Sequence, residues 1–198
     1  MKISRLFALI VLVSVATSAA FATNMADVVK AQVILGKILE YTSKYQLANA
    51  VVTAPTPIAS NAGKYVLPYG ADGQMTAWAT KTLNAKLGSL AGEKAGEQAG
   101  KALASKVPFG GFASGLMKNK GKEMGAMAAI GGADFIKKSS SVSFNNLEDY
   151  AVYLHVKYST NGDYTQALAA AMAIYPSLET GYDNAVKSAY QRAAKATR

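Results

Sequence analysis

The glycine-rich stretch between Leu87 and Gly132 decides the architecture of this chain, and it reads LGSLAGEKAGEQAGKALASKVPFGGFASGLMKNKGKEMGAMAAIGG. Its first part is an alanine-rich run in which every fourth residue is a glycine: Gly88, Gly92, Gly96 and Gly100. A glycine inside a helix costs roughly 1 kcal/mol relative to alanine. Four of them on one face therefore indicate that a second backbone approaches this face closely.

The same stretch predicts an α-helical hairpin over residues 72–138. The first helix is expected over residues 72–106, with Asp72 as a candidate cap. Pro108 and the glycines after it then turn the chain, and a second helix is expected over about residues 113–137, antiparallel to the first. The glycines expected to pack the two arms together are Gly88, Gly92, Gly96, Gly100, Gly121, Gly125 and Gly132.

The N-terminus has the three parts of a secretory signal peptide. Lys2 and Arg5 give a basic start, residues 7–15 are apolar except for Ser14, and Ala20–Ala22 has the small-x-small pattern of a cleavage site. The pattern predicts cleavage after Ala22 and a periplasmic or secreted mature protein. The alternative is an uncleaved anchor, although the apolar run is shorter than the roughly 20 residues of a membrane span.

The remaining segments predict an all-α fold. Residues 23–50 form an amphipathic helix by their apolar spacing. Prolines and glycines interrupt residues 51–71, which indicates a linker or a wrapped connection, in which Lys64–Leu67 is a candidate strand without a partner. Residues 139–198 predict three helices. The expected order is signal peptide 1–22, amphipathic helix, glycine-rich hairpin and C-terminal three-helix segment.

The charge of the chain favours anionic partners. Its 21 lysines and arginines exceed its 12 aspartates and glutamates, for a net charge of +9. We expect an anionic membrane surface or a second copy of the chain as partner, with a protein partner as the alternative. Nucleic acid is not expected, because the tyrosines recur at helical spacing, which is typical of core packing. The lysines expected to meet lipid headgroups are Lys118, Lys120, Lys122, Lys137 and Lys138.

The inventory of reactive side chains is poor. The chain has no cysteine and one histidine, His155, whereas a metal site needs several histidines, cysteines or clustered carboxylates. A nucleophile–base pair would have to use that same histidine or a lysine, and the sequence has neither a Gly-x-Ser-x-Gly nor a Ser-x-x-Lys motif. We therefore predict no catalytic, cofactor-binding or metal-ligating residues and no enzymatic activity.

The four-residue glycine interval resembles the glycine zipper of bacterial envelope proteins, channel-lining helices and some secreted self-associating toxins. That resemblance implies that the glycine face mediates helix–helix packing, often in a membrane. The sequence departs from a membrane span at Glu93, Lys94, Glu97 and Lys101, which interrupt the first arm.

A second resemblance covers Glu148–Pro176. Its first helix opens at a capping-box pattern formed by Asn145 and Glu148, and the segment looks like one tetratricopeptide-type helix pair. His155 stands where that repeat usually has glycine, and Ala151 where it usually has tryptophan. The resemblance implies a groove for a partner, with Tyr153, Tyr158 and Tyr164 as its candidate residues; an ordinary α-hairpin is the alternative.

Three functions fit these features. The first is an exported, non-enzymatic bacterial envelope protein whose glycine-zipper hairpin mediates tight helix packing, self-association or membrane association. The second is a soluble periplasmic adaptor that binds a partner through the tetratricopeptide-like region. The third is a secreted, membrane-active antibacterial factor. They differ in where the mature protein accumulates and in whether it binds lipid.

Overall fold

The computed structural model of this chain describes residues 25–84 and 123–196. These residues are mostly helical, which confirms the all-α class. Several predictions lie outside the described residues, namely the signal peptide, the zipper residues Gly88, Gly92, Gly96, Gly100 and Gly121, and the lysines Lys118, Lys120 and Lys122.

The helices follow one another in the order that the sequence predicts, with shifted boundaries. They are α1 (Met25–Lys44), a 3-10 turn (Leu47–Asn49), α2 (Ala77–Asn84), α3 (123–130), α4 (Ala133–Lys138), α5 (Leu147–Tyr158), α6 (Tyr164–Ile174) and α7 (Leu178–Ala196). Two short strands, β1 (Tyr65–Val66) and β2 (Ser143–Phe144), pair antiparallel.

Helix α6 is the centre of the core. Eight of its eleven residues are buried, because it is apolar around its whole circumference, as expected of a helix that is covered on all sides. Helices α1 and α2 both pack against α6, whereas α5 packs along α7, which also contacts α1. The two helices of the predicted tetratricopeptide-like pair, α5 and α6, thus have their main contacts with other helices.

The predicted loop over residues 51–71 is partly a core element. Tyr65 pairs with Phe144 in the two-stranded sheet, so the prediction of a strand without a partner is wrong. Tyr65, Val66, Leu67 and Tyr69 are all buried. The partner strand lies almost 80 residues further along the chain, and local sequence patterns carry no information about a pairing at that distance.

The predicted second arm of the hairpin is interrupted. Gly131 and Gly132 have φ angles of 116° and 88°, a region that residues with a side chain rarely adopt. The chain therefore leaves the helical path between α3 and α4, and the continuous helix predicted over residues 113–137 is wrong at this point. Gly132 ends up in a turn between two helices.

Two predicted caps are also wrong. The carboxylate of Asp72 accepts a hydrogen bond from the Gln74 amide at 3.1 Å and shapes a turn, and α2 begins only after Thr76. The cap of α5 is Asn146, whose side chain accepts from the Glu148 amide at 2.7 Å. The sequence pattern had placed that cap one residue earlier, at Asn145.

Candidate functional site

Residues 85–122 connect α2 to α3, and the described residues on either side of them lie close together. Lys81, near the end of the described part of α2, has its Nζ atom 5.1 Å from the ring centre of Phe135 in α4. Gly131 is also next to this Nζ atom. The contact is a cation–π interaction, which stabilises the packing of the two helices by roughly 0.5–1 kcal/mol. Helix α2, which precedes the segment, and helix α4, which follows α3, are therefore in contact.

Tyr175 lies next to α2 and β1 in the core. Its ring centre lies 6.4 Å from that of Trp78 in α2, and its hydroxyl accepts a hydrogen bond from the Val66 amide at 3.0 Å. Burial raises the pKa of Tyr175, and the nearby charge of Glu123 at the start of α3 raises it further. We call the residues at this place the segment base: Lys64, Lys81, Glu123, Phe135 and Tyr175.

Lysines surround the segment base. A hydrogen bond to Tyr65 raises the pKa of Lys64, and the charge of Glu123 contributes to the same effect. Lys137 and Lys138 are exposed in the last turn of α4, the helix whose Phe135 contacts Lys81. Both were predicted to meet anionic surfaces, and both are accessible from solvent. Gly125, the one described zipper glycine inside a helix, is half-buried in α3.

Composition separates the segment 85–122 from the residues that the structure describes. We call the described residues, 25–84 and 123–196, the tyrosine-rich domain, because they contain all 11 tyrosines. The segment has no tyrosine, and its acidic residues are Glu93 and Glu97 only. Its basic residues are Lys86, Lys94, Lys101, Lys106, Lys118, Lys120 and Lys122. The domain is close to electroneutral, so most of the positive charge of the chain belongs to the segment.

The tyrosines predicted to form a partner groove have different surroundings. Tyr164 is buried and its hydroxyl is hydrogen-bonded to that of Tyr182, so its prediction as a groove residue is wrong. Tyr158 stacks on Tyr69 at 4.2 Å, and Tyr153 packs 5.0 Å from Phe144, both distances being between ring centres. Tyr153 and Tyr158 are half-buried, and their role in a partner groove stays a prediction.

His155 lies among tyrosine rings. The rings of Tyr164, Tyr182 and Tyr190 have their centres within 5.9 to 6.5 Å of the imidazole. Burial lowers the pKa of His155 to about 4, so the ring is uncharged at neutral pH. The hydroxyl oxygen of Tyr190 lies 3.4 Å from Nε2 of His155. The buried Nδ1 atom of His155 has no hydrogen-bond partner among the described residues. These neighbours supply no carboxylate to orient the imidazole as a general base.

Comparisons with protein-family models, with curated proteins and with solved structures find no match for this chain. Within residues 25–84 and 123–196, no helix is long and apolar enough to cross a membrane. The same residues contain no group of three or more histidines, cysteines or carboxylates that is suited to a metal ion.

An open groove beside α5 was not predicted from the sequence. Its volume is about 380 Å³, and it lies between Val51–Thr53 and the helices α5 and α7. Val152 contributes the α5 wall, and one face of α7 contributes Ala189, Ala193 and Ala196. The sequence feature that could have indicated the groove is the spacing of alanines on α7. They continue an apolar stripe to the end of a helix that is otherwise polar: Ala185, Ala189, Ala193 and Ala196.

Proposed function

We propose that this chain is an exported, non-enzymatic envelope protein in which the tyrosine-rich domain holds the segment 85–122 for association with a second copy and with anionic membrane surfaces. The observation that carries the proposal is the segment base. Described residues before and after a glycine- and lysine-rich segment, Lys81 and Phe135, contact one another in a domain that is itself close to electroneutral.

The charge distribution supports a membrane surface as the anionic partner. Each lysine near an anionic headgroup contributes about 1 kcal/mol, and the attraction falls off within a Debye length. The seven lysines of the segment, together with the exposed Lys137 and Lys138 of α4, are the side chains expected to supply this attraction. The glycine interval supports close packing between helices, as in small-xxx-small pairs.

The test replaces residues 85–122 with a short glycine–serine linker and compares the variant with the mature chain starting at Thr23. The parent is expected to float with phosphatidylglycerol vesicles at low salt, to float less at high salt, and to stay in solution with phosphatidylcholine. The linker variant is expected to lose flotation and self-association in light scattering, while its circular dichroism melting curve stays that of a folded domain.

Two outcomes overturn parts of this proposal. If the linker variant still floats, the domain and not the segment binds the lipid. If the parent neither floats nor self-associates, the envelope function is lost and the segment serves only to connect α2 to α3. Release of a dye trapped in the vesicles would instead favour the secreted, membrane-active factor, and a mass that still includes Met1 would contradict export with cleavage after Ala22.

A further inference from the structure

Other described residues cover the alanine face of α7 along only part of its length. Ala185 and Ala189 are buried against the domain, with 7% and 6% of their surface exposed. Ala193 is half-buried and Ala196 is exposed, although both continue the same face. An apolar stripe of this kind normally packs against another element. In this chain its last two turns form the floor of the groove of about 380 Å³.

The opposite wall has an unpaired main chain. Residues 51–57 contain no helical turn, and Pro55 and Pro57 hold the residues before them in extended geometry. Among the hydrogen bonds of the described residues, none involves the main chain of 51–57; pairing resumes at Ile58, which bonds to Ser143. Val51 is 84% exposed at the mouth of the groove. An extended segment with free amide and carbonyl groups is a template for the addition of another strand.

The groove is lined by two charged side chains, Asp149 and Arg192. The guanidinium of Arg192 is engaged by Glu148 at 2.6 Å. Asp149 lines the groove and is exposed, and no ion pair with it occurs among the described residues. A basic side chain on an incoming ligand would therefore find an exposed carboxylate next to an apolar floor.

We propose that this groove binds an extended peptide segment of a partner protein. The peptide places small aliphatic side chains over Ala193 and Ala196, pairs its main chain with residues 51–54, and sets a lysine or arginine against Asp149. The volume suits this occupant, since about 380 Å³ is near the lower end of the roughly 300–1,000 Å³ of ligand pockets. The site is separate from the segment base, and it does not depend on lipid binding or on the segment 85–122.

The probe is an array of octapeptides whose central positions combine aliphatic, aromatic, acidic, basic and polar residues. The mature chain is expected to bind peptides that combine aliphatic residues with a lysine or arginine. It is expected to bind the same peptides about tenfold more weakly when glutamate replaces the basic residue. Ala196→Trp fills the groove at an exposed position and is expected to abolish binding. Its matched control is Ala129→Trp, at an exposed alanine of α3 away from the groove, which is expected to bind like the parent.

The charge at the rim is tested separately. Asp149→Asn is expected to weaken binding of the basic peptide with the highest affinity about fivefold. It is also expected to remove most of the salt dependence of this binding. Glu179→Gln, at an exposed carboxylate in the first turn of α7, is the control and is expected to change neither. The proposal is overturned if no aliphatic–basic peptide binds better than the acidic and polar ones, or if Ala196→Trp binds as the parent does.

Discussion

The tyrosine-rich domain and the segment 85–122 are built from different amino acids. The domain contains all 11 tyrosines and the single tryptophan of the chain, and Trp78, Tyr150 and Tyr175 are fully buried in its core. The segment contains eight of the 17 glycines and seven lysines. Large aromatic rings bury apolar surface and pack in fixed geometries. Glycine has no side chain and does neither. The difference teaches that the described residues are stabilised by large buried rings, a means of stabilisation that the composition of the segment does not offer.

The largest expected effect is on the domain. Ala171 is completely buried in α6, so Ala171→Arg places an unpaired charge in an apolar seam and is expected to lower the free energy of unfolding by about 4 kcal/mol or more. Urea denaturation of the parent and the variant measures the loss. Ala128→Arg, at an exposed alanine of α3, is the control. A parent-like midpoint for the Ala171 variant would mean that α6 is not the centre of the core.

The second effect is a pH dependence of the free energy of unfolding. It comes from His155 in the domain, and the segment has no histidine. The pKa of His155 is lowered from 6.5 to about 4 by burial. As the pH falls below 6.5, the unfolded chain binds a proton that the folded domain does not bind. The free energy of unfolding therefore decreases until about pH 4, by about 3 kcal/mol in total, and then levels off.

The pH experiment needs a reference, because carboxylates also titrate in the lower part of this range. His155→Leu removes the imidazole and keeps an apolar side chain among Tyr164, Tyr182 and Tyr190. The difference in stability between parent and variant, followed by urea denaturation between pH 7.5 and 4, isolates the histidine contribution. A difference that does not change with pH would show that the folded domain protonates His155 at its ordinary pKa.

A smaller effect distinguishes two neighbouring asparagines. Asn146→Ala removes the cap of α5 and is expected to lower the free energy of unfolding by about 1 kcal/mol. Asn145→Ala removes an exposed side chain just before the cap and is expected to change it by less than about 0.5 kcal/mol. Thermal melts of the two variants side by side measure the difference, and equal losses would contradict the assignment of the cap.

These variants also mark how far the sequence could predict the structure. Apolar spacing predicted α1, α5, α6 and α7 because each helix carries its own pattern, and the cap of α5 was misplaced by one residue because Asn145 and Asn146 offer the same side chain. The pairing of Tyr65 with Phe144 was out of reach, since it depends on tertiary packing. The groove was out of reach for the same reason, because its two walls, Val51–Thr53 and the end of α7, are far apart in the chain.

The smallest effect on the domain is expected from the segment. Gly96→Ile adds a branched side chain to the glycine face, where it is expected to keep a second backbone away and to weaken self-association about tenfold or more. The free energy of unfolding of the domain is expected to change by less than about 0.5 kcal/mol, because the core residues around Trp78 and Tyr175 form their contacts within the domain. Glu97→Gln, one residue further along, alters the polar side and is expected to affect neither quantity. Light scattering measures the association and tyrosine fluorescence follows the unfolding of the domain. If Gly96→Ile destabilises the domain as strongly as Asn146→Ala does, the segment and the domain unfold as one cooperative unit. The expectation that the domain folds independently of the segment would then be wrong.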